Sequence, residues 1–300
     1  MWTQDNIPDQ TGKTVLVTGA NSGLGFEIAK ALYTKGAHVI VAARDQQRID
    51  EAAEKIKNSG GNGTLETATL NLANLAQIKT FSQGIISKHQ QLNLLINNAG
   101  VMIPPESKTD DGFELQFGVN FLGHFALTAQ LYSLLKQTPG SRIVTLSSGA
   151  HHAADAVDFE NLKLEKSYDA FREYAVSKLA NLQFMATLQR KIAISGDAVI
   201  STAAHPGVTK TSLSRHMPEA DYNAAVEQFG ELMPAWQGAL SALFAATSAS
   251  VEGGDYFGPD GENELQGFPA PAKLSIAATD IGQGEKLWQY AEKATQFRFP

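Results

Sequence analysis

The strongest constraint on the fold of this chain is an alternation that runs through its first two hundred residues. Short runs of apolar, often β-branched residues alternate with amphipathic stretches of helical period. Residues 14–18 read as a strand. Leu24, Ile28, Ala31 and Leu32 then recur at helical spacing, and Gly36 is placed to end that helix. Residues 38–42 form the next strand, and Asp45 is placed as the N-cap of a helix around 49–56. The pattern continues with strands over 65–70, 92–96, 143–146 and 198–203, and with helices over 75–88, 113–135 and 171–192. Helical crossovers between successive strands predict an α/β protein: a doubly wound, mainly parallel sheet covered on both faces. With no linker and no internal repeat, residues 1–300 read as a single domain.

After Pro206 the alternation weakens. Residues 207–230 mix polar positions with Leu213, Met217, Tyr222 and Phe229. A long irregular segment in a compact domain is usually functional, so a substrate lid is expected near 207–233. Met217, Met233 and Trp236 either line that lid or belong to helix core. A helix over 236–246, a last strand at 255–257, a turn at Gly258-Pro259-Asp260-Gly261 and a terminal helix over 281–293 complete the expectation.

Composition removes several classes of function. The chain has no cysteine, which excludes disulfides, thiolate metal sites and cysteine nucleophiles. A formal net charge of -7 gives no basic face for nucleic acid, so no nucleic-acid partner is expected. No apolar run reaches the length of a membrane span, and the first ten residues hold no signal core, so a cytoplasmic location is expected. His151-His152 has no third ligand at a diagnostic spacing, so no metal is expected. His205, before Pro-Gly, reads as structural.

The segment Thr18-Gly19-Ala20-Asn21-Ser22-Gly23-Leu24-Gly25 lies between the first strand and the first helix. Glycines there let backbone N–H groups approach a pyrophosphate, and the helix start adds free N–H groups and a positive dipole end. Arg44 lies 19 residues after Gly25, where the residue that distinguishes the two nicotinamide dinucleotides belongs. Its planar fork suits a 2′-phosphate, which favours NADP(H) and leaves NAD(H) open. Asp45 either caps its helix or turns toward the ribose.

Tyr174-Ala175-Val176-Ser177-Lys178 sets a phenol and an ammonium at i and i+4, on one helix face. A nearby positive charge favours the phenolate, which would bring the tyrosine into range as a proton donor and acceptor. Ser147-Ser148 ends a strand, where a hydroxyl could bond a substrate oxygen as charge develops. Asn97-Asn98-Ala99-Gly100 ends the preceding strand at the same edge. Asn120, inside an apolar helix, needs a partner. It either caps local backbone groups or holds a proton-relay water.

Together these segments resemble the short-chain dehydrogenase/reductase family, strongly over residues 12–207 and more loosely beyond. The motifs are Thr18 to Gly25, Asn97 to Gly100, Asn120, Ser148, Tyr174 with Lys178, and Pro206-Gly207. Closer similarity is to the retinol-dehydrogenase-like branch, carried by Ala43-Arg44-Asp45, Ser147 to His152, Ser177 to Asn181, His205 to Val208 and Tyr256 to Gly261. The resemblance implies a Rossmann-type fold and hydride transfer between NADP(H) and an apolar alcohol, aldehyde or ketone. It implies Tyr174 as acid and base, Lys178 holding the nicotinamide ribose and lowering the tyrosine pKa, Ser148 orienting the substrate oxygen, and Asn120 linking the lysine to solvent protons. Cofactor contacts are implied for Gly19, Asn21, Ser22, Gly23, Leu24, Gly25, Arg44, Asn71, Leu72, Asn98, Ala99, Gly100, Tyr174, Lys178, Pro206, Gly207, the Val208 backbone and Thr211.

Two departures stand out. Asn71 replaces the usual adenine-contacting aspartate, and 26 residues separate Ser148 from Tyr174, about twice the family gap, with residues 151–171 expected as a loop beside the site. Many relatives form homodimers through the two long helices. The other readings are carbon–carbon double-bond reduction, as in protochlorophyllide reductases, and a dinucleotide-binding sensor without turnover.

Overall fold

The computed structural model describes residues 1–211, 213 and 232–299. Its strands are β1 (Thr14–Thr18), β2 (His38–Ala43), β3 (Thr64–Thr69), β4 (Leu94–Asn97), β5 (Arg142–Leu146), β6 (Ile200–Ala204), β7 (Tyr256–Pro259) and β8 (Pro269–Pro271). They form one sheet in the order β3-β2-β1-β4-β5-β6-β7-β8. Every pair from β3 to β7 is parallel, and β8 runs antiparallel to β7. Strand order reverses between β1 and β4, the switch point at which open parallel sheets hold ligands.

The helices are α1 (Gly23–Thr34), α2 (Gln46–Lys57), α3 (Leu75–Lys88), α4 (Gly123–Lys136), α5 (Ala170–Ser195), α6 (Ala235–Gly238), α7 (Leu240–Thr247), α8 (Ile276–Thr279) and α9 (Ile281–Thr295). Side chains alternate across the sheet, so it has two cores. Leu16, Ile40, Leu95 and Ile143 pack toward α3, α4 and α5, whereas Val15, Val17, Val39, Val41 and Ile96 pack toward α1 and α2. Burial on both faces explains why the central strands are continuous apolar runs rather than alternating ones.

Local signals place the element ends. Asp45 accepts the Arg48 N–H at 3.1 Å as the N-cap of α2. Gly36, beyond the end of α1, adopts φ +94°. Two expectations need correction. The helix expected over 113–135 carries a π-helical turn over Phe117–Leu122 before α4 begins, and the buried Glu114 carboxylate accepts the N–H groups of Gln116 (2.9 Å) and Phe117 (2.6 Å) at its start. Gly258 and Pro259 lie in β7, not in a turn, and the chain reverses over 260–268 before β8. β8 was not expected because two of its three residues are prolines, which only an edge strand tolerates.

Most of the expected lid, residues 214–231, lies outside the described residues, and Met217 with it. Met233 is buried and bridges to Thr209, whereas Trp236 is exposed on α6. Among the described residues no helix is long and apolar enough to cross a membrane.

Candidate active site

The carboxyl ends of β1, β2, β3 and β4 meet at one edge of the sheet, where a cleft of about 800 Å³ opens. Its walls include Gly19, Asn21, Ser22, Gly23, Leu24 and Gly25, Arg44 and Asp45 after β2, Asn71 and Leu72 after β3, and Asn98, Ala99 and Gly100 after β4. Thr211 closes it, its Cβ 3.4 Å from the position a Cβ would take on Gly23.

The turn accepts only glycine at two positions. A Cβ on Gly25 would lie 2.4 Å from Gly19 O and 2.5 Å from Asn98 Nδ2. Gly19 has φ +67°, and a Cβ there would lie 2.9 Å from Ala99 Cα. Side chains would fill this cradle, and the start of α1 opens into it, so these residues fit a dinucleotide pyrophosphate.

A buried network fixes the turn. The depressed pKa of His124, pushed down to about 4 by burial, leaves its ring neutral. Its Nδ1–H donates to Asn120 O at 2.9 Å, so Nε2 is free to accept the Thr18 hydroxyl, also at 2.9 Å. Thr18 Oγ1 in turn accepts the N–H groups of Asn98 and Ala99, both at 2.9 Å. Asn98 Nδ2 donates to Thr18 O at 2.7 Å. His124 was not foreseen. Its signal was its i+4 spacing from Asn120 on one helix face.

At the far end of the cleft, Arg44 is exposed, and its guanidinium makes no hydrogen bond or ion pair with the described residues. Asp45 faces α2 as its cap, and Arg48 stands 3.8 Å from its carboxylate. Arg48 also lines the cleft and was not singled out from the sequence. The Asn71 side chain accepts the Ala73 N–H at 3.0 Å.

Gly100 joins this cleft to the second constellation. A Cβ on it would lie 3.3 Å from Asn120 Oδ1 and 3.7 Å from Lys178 Nζ. Asn120 sits in the π-helical turn, a distortion that recurs at functional sites. Its side chain accepts the Val101 N–H (2.8 Å) and donates to Val101 O (3.0 Å) and Ser177 Oγ (2.9 Å). Two of these contacts pair with the Val101 backbone. Ser147 donates its hydroxyl to Lys178 O at 2.8 Å, which ties α5 to β5. Ser148 is the serine whose hydroxyl bears on the Tyr174 phenol, favouring its ionised form.

Tyr174 and Lys178 are buried on α5. Lys178 Nζ lies 5.6 Å from the Tyr174 ring centroid and 3.3 Å from Leu146 O, which Asn181 Nδ2 also approaches at 2.9 Å. Burial pushes the phenol up to about 12, and the Ser148 hydrogen bond offsets only part of that. Burial also pushes the Lys178 ammonium down to about 8. The lowering expected from a charge one turn away is therefore outweighed by desolvation of both groups.

The segment after β6 is held by the chain between β7 and β8. The Val208 N–H donates to Leu265 O at 2.7 Å, and its carbonyl accepts the Met233 N–H at 3.2 Å. The N–H is committed within the fold, while the carbonyl keeps a second lone pair toward the expected carboxamide contact. A Cβ on Gly207, which has φ +65°, would lie 2.3 Å from Leu265 O. His205 is structural as expected, with Nε2 3.0 Å from the Glu264 carboxylate and Nδ1 accepting the Gly207 N–H at 3.3 Å. Residues 154–169, in the long gap before Tyr174, form an irregular segment packed on the start of α5 through Asn161, Ser167 and Glu173.

The family model for short chain dehydrogenases matches residues 13–221. The chain belongs to this family. Retinol dehydrogenase 14 of Mus musculus is 39% identical over 298 residues, covering 94% of this chain and 85% of its own. Retinol dehydrogenase 11 of Homo sapiens is 41% identical over 241 residues, covering 80% and 74%. The crystal structure of an uncharacterized protein from Mycobacterium paratuberculosis matches with a TM-score of 0.84 and 35% identity, over 100% of this chain and 99% of that one. The RhlG/NADP active-site complex of Pseudomonas aeruginosa shares the fold, with a TM-score of 0.66 and 22% identity over 82% and 94% of the two chains. As a short-chain dehydrogenase of the retinol-dehydrogenase-like branch, the chain is an oxidoreductase that acts on alcohol or carbonyl groups of a small molecule with a nicotinamide dinucleotide.

Proposed function

We propose that this short-chain dehydrogenase is an NADP(H)-dependent reductase of apolar aldehydes or ketones that also oxidises the matching alcohols. The observation that carries this reading is the meeting of Ser148, Tyr174 and Lys178 behind Gly100, next to the glycine cradle. When bound, the nicotinamide supplies or accepts the hydride. The protein manages the proton. With its pKa raised to about 12, the Tyr174 phenol is protonated at neutral pH and can donate its O–H proton to a carbonyl oxygen. The Ser148 hydroxyl donates a hydrogen bond to the same oxygen as negative charge grows on it. Lys178, while protonated, stabilises the phenolate left behind, and its ammonium would hold the nicotinamide ribose. Asn120 holds the Val101 backbone and Ser177 in register beneath both groups.

Arg44 supports the NADP(H) preference. Its guanidinium is exposed at the cleft and has no ion-pair partner among the described residues, whereas Asp45 caps α2. A charge-assisted hydrogen bond contributes about 1.5–3 kcal/mol. Arg44→Ala is therefore expected to raise KM for NADPH at least about tenfold and to leave KM for NADH within about twofold. Equal effects on both cofactors would remove the preference.

An apolar substrate is supported by the relatives, which are named for retinol and, in the polyprenol dehydrogenase of Danio rerio (38% identical over 255 residues, 83% of this chain and 78% of its own), for polyprenol. Val101, Val119 and Leu213 add apolar side chains to the cleft lining. The test is a panel of aldehydes, ketones and alcohols followed by NADPH absorbance in both directions. Turnover that favours charged over apolar carbonyls would refute the substrate class. An enone in the panel separates carbonyl from double-bond reduction: an allylic alcohol product is expected, and a saturated ketone would move the assignment. Tight dinucleotide binding with no turnover on any substrate would mark a sensor instead.

A further inference from the structure

We propose that His38, Glu66 and His89 bind one divalent transition-metal ion of the zinc class at the outer edge of the sheet, remote from the cofactor cleft. β3 is the outermost strand, and its register pairs His38 with Thr64. Glu66, two residues further on, points to the same face of the sheet as Thr64. His89 ends α3 and folds back over that face. Two imidazoles and a carboxylate from three elements thus converge on one point.

The distances suit an ion. Glu66 Oε2 lies 3.1 Å from His89 Nε2 and 3.7 Å from His38 Nε2, and the three donor atoms lie within 4.8 Å of one another. Zinc bonds of about 2.0–2.2 Å in a tetrahedron place the donor atoms about 3.3 Å apart, so shifts well under 1 Å would close the site. Imidazole with carboxylate is a donor set that zinc and its first-row neighbours share. All three side chains are partly buried, which leaves an entry path and a fourth position for water.

The supporting hydrogen bonds already hold the ligands in the required orientation. His38 Nδ1 lies 2.7 Å from Thr64 Oγ1, so a proton on Nδ1 leaves the Nε2 lone pair facing Glu66. Lys88 Nζ binds Glu66 Oε1 at 3.1 Å and leaves Oε2 to the imidazoles. Such outer contacts fix the tautomer and orientation of metal-binding histidines. No sequence spacing could announce this cluster, because 28 and 23 residues separate its members. The ligand on β2 is the strand's first residue, and the cofactor edge is at its other end, roughly 16 Å away. The ion would clamp β2, β3 and α3 together without touching the chemistry.

The test uses the full chain, dialysed against a chelator and titrated with zinc chloride in a calorimeter. Saturable uptake of one ion per chain is expected, with a rise in Tm that the chelator reverses. Cobalt(II) should give the visible absorption of a tetrahedral imidazole site. His89→Ala and His38→Gln should each weaken zinc binding by at least about tenfold, and Thr64→Val, which keeps every ligand, by about tenfold. Melting of each metal-free variant shows that it folds. No heat and no Tm shift in the wild type would overturn the proposal. So would binding that persists undiminished in both histidine variants, which would place the ion elsewhere, for example at the adjacent rings of His151 and His152.

Discussion

Tyr174→Phe is expected to lower turnover of a carbonyl substrate by about 10²–10⁴-fold while dinucleotide affinity stays within about twofold. The change removes one oxygen and little else. The ring is 5% exposed and packed on α5, and phenylalanine fills the same space. Its partner Ser148 is partly exposed and also accepts the Ala150 N–H at 3.2 Å, so no buried donor is orphaned and Tm should hold. Steady-state NADPH oxidation with a separate binding titration measures both quantities. Turnover that falls less than about tenfold would show that the proton comes from another group. The pH dependence of the wild type follows from the same residue. Reduction needs the protonated phenol, which is present throughout the neutral range because burial raises its pKa to about 12. Oxidation needs the phenolate, whose small fraction grows about tenfold per pH unit below that value. The rate of alcohol oxidation should therefore climb with pH through the neutral range, up to about pH 8 where Lys178 loses its charge, while reduction does not.

The framework of the site was legible because it rests on local chemistry. A glycine run between a strand and a helix, an Asp N-cap and a period of 3.6 each act within a few residues, and the turn at Gly19 to Gly25 and the helix over 75–88 follow from them. Order along the chain was enough to bring Asn98 and Ser148 to one edge, because they follow β4 and β5 and parallel strands present their carboxyl ends there, while Tyr174 comes from α5. What was not legible depended on contacts between distant segments. The π-helical turn at Asn120 depends on backbone groups of Val101 and on the His124 ring. The commitment of the Val208 backbone depends on Leu265, 57 residues later. The raised pKa of Tyr174 reflects the depth of its burial, whereas i,i+4 spacing reports only that two residues share a face.

Lys178 turns that burial into a conflict between activity and stability. Lys178→Met is expected to abolish measurable reduction, at least about 10²-fold, and yet to stabilise the fold at neutral pH. Burial lowers the lysine pKa from its ordinary 10.5 to about 8, so below pH 8 the folded state holds an ammonium that water would hold more favourably. At about 1.4 kcal/mol per unit this destabilises the native protein by about 3 kcal/mol. The group is fully buried, so solvent screening does not reduce that figure. The sign follows from proton binding. Between pH 8 and 10.5 the unfolded chain binds more protons than the folded one, so the wild type gains stability as pH rises through that window. Below pH 8 the penalty is present in full. Methionine matches the length of the lysine stem and removes the charge. Leu146 O keeps the Asn181 amide as donor at 2.9 Å, so no buried acceptor is stranded. The variant should melt about 5 °C above the wild type at pH 7, and the gap should narrow by pH 10. Thermal melts of both proteins at the two pH values measure this, with NADPH oxidation as the companion assay. A methionine variant that melts lower than the wild type at pH 7 would show that the ammonium is well solvated or paired in the fold, and that the phenol beside it sits in a wetter site than the structure describes.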